Sequence, residues 1–153
     1  LIRSLEGTGL DLVFIGPLME TEQAYVKEFL DAVKSHKRVH WLGPLPHDDP
    51  ILPAAFAAAR VHALPSYREG FPLVNLEAAA AGCAIVTSPL LGLREYLDKY
   101  YVCKPGNISH IRKTILEAYK GGRNERERGK FASFDLNIII SDLISIYMEV
   151  LKT

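Results

Sequence analysis

The chain reads as an α/β domain built on a doubly wound parallel sheet with helices on both faces. Three observations carry that reading. Short apolar runs at residues 10–15, 39–42, 61–64, 84–87 and 101–103 show little polar alternation, as strands covered on both faces do. Stretches with apolar residues at helical spacing separate most of them. Glycine or proline ends several runs, at Gly16-Pro17, Gly43-Pro44, Pro65 and Pro105-Gly106, where a chain leaves a strand. Right-handed crossovers then place any ligand at the carboxyl ends of the strands, where Gly43 and residues 66–71 and 88–92 would lie.

Each element follows in order. Residues 1–6 read as the tail of a helix closed by Gly7 and Gly9. Residues 10–15 are the first strand, interrupted only by Asp11. Tyr25, Val26, Phe29, Leu30 and Val33 predict a helix over 20–37. The second strand at 39–42 meets a loop rich in Pro and Asp over 43–50. A short helix at 50–59 and a third strand at 61–64 follow. Residues 65–87 then run from strand end through a glycine loop, a short helix and a stop at Gly82 to the strand at 84–87. Leu93 and Leu97 predict a helix over 92–100, before the strand at 101–103. A helix over 108–119 should turn Ile108, Ile111, Ile115, Leu116 and Tyr119 inward, and Gly121-Gly122 should break it. A charged helical stretch at 124–130 and an amphipathic helix at 135–151 complete one domain over 1–153.

The 153 residues suffice for a core, and a formal charge of +0 excludes a general basic field for nucleic acid. Cys83 and Cys103 sit in apolar surroundings and are expected as buried, reduced thiols. The longest apolar run, 78–86, falls far below the ~20 residues of a membrane-spanning helix. A cytoplasmic setting is expected, with the basic stretch at 120–130 either solvated or touching the anionic inner face of a membrane. An opening at Leu1 without Met reads as a fragment.

From Gly70 through Leu93 the only charged side chain is Glu77. With Leu73, Val74, Leu76 and four alanines around it, its helix is expected to be buried on nearly all sides, and Glu77 to need a partner. Glu69 stands eight positions earlier, in the loop before Pro72, which suits a first helical turn. Free amides and the positive helix end would favour a phosphate or a polar sugar edge there. Taken alone, Glu77 reads as a structural carboxylate and Arg68 as a solvated loop charge, while for Glu69 a solvated charge or a complement to the helix dipole is the lesser reading. His47-Asp48-Asp49 reads as a helix cap ahead of Pro50, and His40 and His62 as edge or interior histidines.

Several short motifs, in order, resemble one family. Glu69-Gly70-Phe71-Pro72-Leu73-Val74, with Glu77-Ala78 and Gly82, is similar to the E-x7-E signature of retaining GT-B glycosyltransferases of the "group 1" type. Phe14-Ile15-Gly16, Trp41-Leu42-Gly43-Pro44-Leu45 (the family's F-L-G-x-V turn) and Leu64-Pro65-Ser66 agree with it. So do Gly92-x-x-Glu95 and Lys104-Pro105-Gly106-Asn107. The resemblance implies the C-terminal, Rossmann-like half of a GT-B fold, lacking its first strand. The chain would be the donor domain of a two-domain enzyme that transfers a sugar, with retention, from a nucleoside-diphosphate sugar. It implies that Glu69, in the catalytic position, faces the donor sugar hydroxyls. Glu77 would accept bonds from the ribose, and amides of Gly70, Phe71, Pro72's neighbour Leu73 and Val74 would hold sugar and diphosphate. Leu42, Gly43, Pro44 and Leu45 would line the base.

The family's basic diphosphate clamp precedes the matched region, so only Arg68 or Arg94 could stand in for it. Ala84, Leu91 and Asn107 depart from the family's usual Pro, Gly and Asp. No metal or cofactor is expected, since no Walker loop, Cys-x-x-Cys or Asp-x-Asp motif occurs. The acceptor domain would belong to the same or a partner chain. The alternatives are a non-catalytic donor-binding subunit of a split transferase, or another GT-B enzyme such as a sugar-nucleotide epimerase. If the first strand lies before Leu1, the strands at 10–15 and 61–64 should face each other across a gap, since the first strand of such a sheet lies between the second and the fourth.

Overall fold

A computed structural model describes residues 1–19, 21–89 and 96–125. They form α1 (Ile2–Leu5), β1 (Leu12–Phe14), α2 (Gln23–Ser35), β2 (Val39–Trp41), α3 (Ile51–Ala58), β3 (Val61–Leu64), α4 (Leu73–Ala80), β4 (Ala84–Thr87), β5 (Tyr101–Val102) and α5 (Ile108–Gly121). The expected alternation is present. Residues 96–100, expected to complete a helix from 92, instead form a turn and bends. Leu97 drops into the core and β5 starts four positions later, leaving no length for a further helical turn and a reversal. Residues 92–95 and the helices expected beyond 125 lie outside the described residues.

Every strand pairs in parallel. β3, β4 and β5 form one sheet, with Val61 opposite Ala84 and Val86 opposite Tyr101. β1 and β2 form another, with Leu12 opposite Val39. β1 and β3 share no ladder among the described residues. The two sheets are separate among the described residues, as a missing strand between them would require.

The core lies around β4, all four residues of which are buried. Alternation sends Ile85 toward α4, where it meets Leu76, Ala78, Ala79, Cys83 and Leu97, with Phe56 and Tyr96 packed at the edge. Ala84 and Val86 face the other way, onto Cys103, Ile111, Ile115 and Ala118, with Leu1 and Leu5 of the amino-terminal segment against them. Burying side chains of this size contributes about 1.5–3 kcal/mol each. α5 buries Ile111, Thr114, Ile115 and Ala118, whereas Ile108 and Tyr119 are exposed. The expected inward set was too wide: the buried stripe runs through small Ala118 and through Thr114, whose hydroxyl donates to the His110 carbonyl at 2.8 Å. Neither α2 nor α3 contains a fully buried residue.

Both cysteines are free and buried, as expected, and burial pushes their thiols up. Asn107 caps α5 by accepting from the His110 amide at 2.9 Å, a task Asn and Asp perform alike. Arg123 donates to the carbonyls of Ala57, Ala59 and Ala81. It thus fastens the carboxyl ends of α3 and α4, where the helix dipole favours a cation. Gly82 (φ +90°) lies under that guanidinium, so any side chain there would be strained and crowded.

Candidate functional site

The site is assembled from loops at the carboxyl ends of the strands. The loop after β3 carries Arg68, Glu69 and Gly70, all exposed, into α4. Pro72 is buried and takes the N-cap position at φ −74° and ψ 94°, so the helix starts one residue later than expected. No side chain caps this end. The Asn75 amide donates to the Pro72 carbonyl at 3.0 Å, and among the described residues the Leu73 and Val74 amides are left to another acceptor.

α4 does not have the all-round burial expected of it. Asn75, Leu76, Ala78 and Ala79 are buried against the sheet, but Leu73 is 61% exposed and Glu77 is exposed. The lack of polar residues reflects an open face beside the rim, and the carboxylate that interrupts it stays in water. Glu77 therefore needs no structural partner, and neither it nor Glu69 has a hydrogen bond or ion pair among the described residues. Unpartnered carboxylates in water keep their acceptor sites open to a ligand's hydroxyls.

Beneath the rim, Asn75 donates to the Thr87 hydroxyl at 3.3 Å and ties α4 to the end of β4. His62 of β3 lies edge-on to Phe56, and burial lowers its pKa to about 4. Buried His62 Nε2, Asn75 Oδ1 and Ser88 Oγ have no partner among the described residues.

Two side chains unforeseen in the sequence shape the mouth. Phe71, 42% exposed, stacks edge-on against Tyr96 at 5.3 Å. The Tyr67 hydroxyl reaches over to the backbone of Gly106, leaving no room for a Cβ there. That contact joins the loops after β3 and β5 across the end of β4. Tyr96 carries no sequence signal, because only the fold brings it to Phe71. Tyr67 likewise carries no local signal for its contact with Gly106.

The turn after β2 supplies the other flank. Leu42 is 49% exposed, Pro44 is exposed, and Gly43 and Leu45 are half-buried. Gly43 has φ +78° and accepts the Gly16 amide at 2.9 Å, joining this turn to the loop after β1. Arg68 is exposed at the loop tip, whereas Arg94 lies outside the described residues. His47 and Asp48 form no metal cluster among the described residues, and Asp49 accepts the Ile51 amide at 2.8 Å ahead of α3. A groove of about 550 Å³ lies away from this rim, against α1 and the amino ends of β1 and β2, and it contains none of the expected site residues.

Parallel strands with interleaved helices make this a Rossmann-like α/β domain of the GT-B type. The match to the family "Glycosyl transferases group 1" spans residues 1–152, and the chain belongs to that family. Among curated relatives, it is 37% identical over 81 residues to the O-antigen chain mannosyltransferase B of Escherichia coli, covering 52% of this chain and 21% of that protein. It is 48% identical over 56 residues to the D-inositol 3-phosphate glycosyltransferase of Salinispora tropica, covering 37% of this chain and 11% of the relative. The chain thus corresponds to about a fifth or less of these relatives. The sucrose-phosphate synthase structure from Thermosynechococcus elongatus superposes with a TM-score of 0.78 at 20% identity, over 99% of this chain and 42% of that one. Anabaena HepE in complex with UDP gives 0.74 at 22% identity, over 98% and 44%. At such identities the likeness establishes the fold alone.

Proposed function

We propose that this chain is the donor-binding domain, the C-terminal half, of a retaining glycosyltransferase and that it binds a nucleoside-diphosphate sugar. The observation that carries the reading is the pair of exposed carboxylates, Glu69 and Glu77, without partners among the described residues, beside the first turn of α4, which no side chain caps. The amides of residues 70–74 would hold the diphosphate and sugar, Glu69 the sugar hydroxyls, and Glu77 the vicinal ribose hydroxyls. The turn at Leu42, Gly43, Pro44 and Leu45 would face the base. A solved structural relative is described in complex with UDP, which supports a nucleotide ligand for this fold.

Retention follows from the family signature around Glu69 and Glu77. The acceptor half would come from the same or a partner chain, so this domain binds donor without turning it over. No metal enters the reading, because amides and a helix terminus supply the positive potential the diphosphate needs. Two reduced thiols fit a reducing compartment, and the cytoplasm is the proposed setting.

A thermal-shift screen against UDP-, GDP- and ADP-sugars tests this. A donor at 100 times its Kd contributes about 2.7 kcal/mol, or a rise of roughly 5–10 °C for a chain of this size. No rise with any of the three would defeat the reading.

A further inference from the structure

Trp41 closes β2 and stands directly before Leu42. Its indole N–H donates to the Gly16 carbonyl at 3.0 Å. The Gly16 amide in turn donates to the Gly43 carbonyl at 2.9 Å, and the Leu42 amide to the Phe14 carbonyl at 3.0 Å. Gly16 is thereby held from both sides, and the loops after β1 and β2 are closed on each other without a ligand. Phe29 of α2 keys the arrangement from behind, edge-on to Trp41 at 6.1 Å and to Phe14 at 5.1 Å. A phenylalanine would fill the aromatic slot against Phe29 but could not reach Gly16 with a donor.

We infer that Trp41 is a positioning residue for base recognition: by pinning Gly16 it fixes the turn at residues 42–45 and so sets which nucleobase of a nucleoside diphosphate fits beside it. The inference rests on the donor-binding reading and adds to it a determinant of base selectivity. Trp41 does not touch the ligand. It acts through the Gly16–Gly43 hydrogen bond and the shape of the Gly43 turn.

The test compares the unchanged chain with Trp41→Phe by calorimetry, using UDP, GDP and ADP as nucleotides and ribose 5-phosphate as a base-free probe. Loss of one half-buried hydrogen bond behind the turn should weaken the preferred nucleotide about fivefold to tenfold. The preference among the three nucleotides should narrow by the same factor, with ribose 5-phosphate affinity unchanged. Unaltered nucleotide affinity and preference in Trp41→Phe would overturn the inference while leaving the donor-binding reading intact. Equal losses for nucleotide and ribose 5-phosphate would also overturn it, because a merely structural role predicts that pattern. Failure of all three nucleotides to bind the unchanged chain would overturn both. A second readout does not depend on how the variant folds. Trp41 is the only tryptophan in the chain, so its emission should shift when the preferred nucleotide binds and stay constant with ribose 5-phosphate. Constant emission during calorimetrically observed nucleotide binding would count against the inference.

Discussion

Replacing Glu77 by Gln separates a binding role from a structural one. The side chain is exposed, has no partner among the described residues and sits in the interior of α4. Gln and Glu have similar helix propensities, so the substitution should change stability by no more than about 0.5 kcal/mol. That corresponds to a melting shift within about 2 °C for a chain of this length. Binding should respond differently. A carboxylate accepting two ribose hydroxyls makes charge-assisted bonds, and hydrogen bonds to charged groups contribute about 1.5–3 kcal/mol. Losing the charge and one acceptor should therefore raise the donor Kd about 10- to 150-fold. Isothermal calorimetry with the donor found in the thermal-shift screen, alongside a melting curve for each protein, reads both quantities. An unchanged Kd with a melting temperature several degrees lower would refute the reasoning and restore a structural role for Glu77.

Two further outcomes follow from the fold. His62 has its pKa lowered from 6.5 to about 4, so it folds neutral and must be forced to accept a proton. Its contribution is complete above about pH 6.5 and is lost as pH falls toward 4, up to about 3 kcal/mol in all. Urea midpoints at pH 7, 5.5 and 4.5 should fall more steeply for the unchanged chain than for His62→Phe, and parallel slopes would contradict this. The second outcome concerns the break between the sheets. The edges of β1 and β3 are unpaired among the described residues, and α2 and α3 hold no fully buried residue. Hydrogen exchange should therefore be much faster in α2 and β2 than in β4 and α5, and the chain should self-associate at high concentration. Uniform protection in a strictly monomeric chain would argue against both.

The sheet was legible because strands covered on both faces announce themselves. The runs at 61–64 and 84–87 correspond residue for residue to β3 and β4. The separation into two sheets is what a missing first strand predicts, because that strand lies between the second and the fourth. The exposure of α4 was not legible. Four alanines and leucines with one carboxylate look like an interior helix, yet Leu73 and Glu77 face solvent. Composition cannot distinguish a face packed in a core from one left open to solvent. The burial pattern of α5 was misread for a related reason: Ile108 and Tyr119 match the period but lie at its exposed ends, while Thr114 is buried by satisfying its own hydroxyl within the helix. The contacts of Trp41 with Gly16, Tyr67 with Gly106 and Arg123 with three carbonyls link positions far apart in sequence. No local pattern encodes them.

The most direct test of the donor-site account is an amide chemical-shift map of the 153-residue chain, titrated in EDTA with the nucleotide sugar that raises its melting temperature most. The account predicts the largest shifts at Glu69, Gly70, Phe71, Leu73, Val74 and Glu77 and at Leu42, Gly43 and Leu45, undiminished by the chelator. Shifts confined to the groove lined by Leu5, Leu10, His36 and Val39, or binding that appears only on adding Mg²⁺ or Mn²⁺, would contradict it.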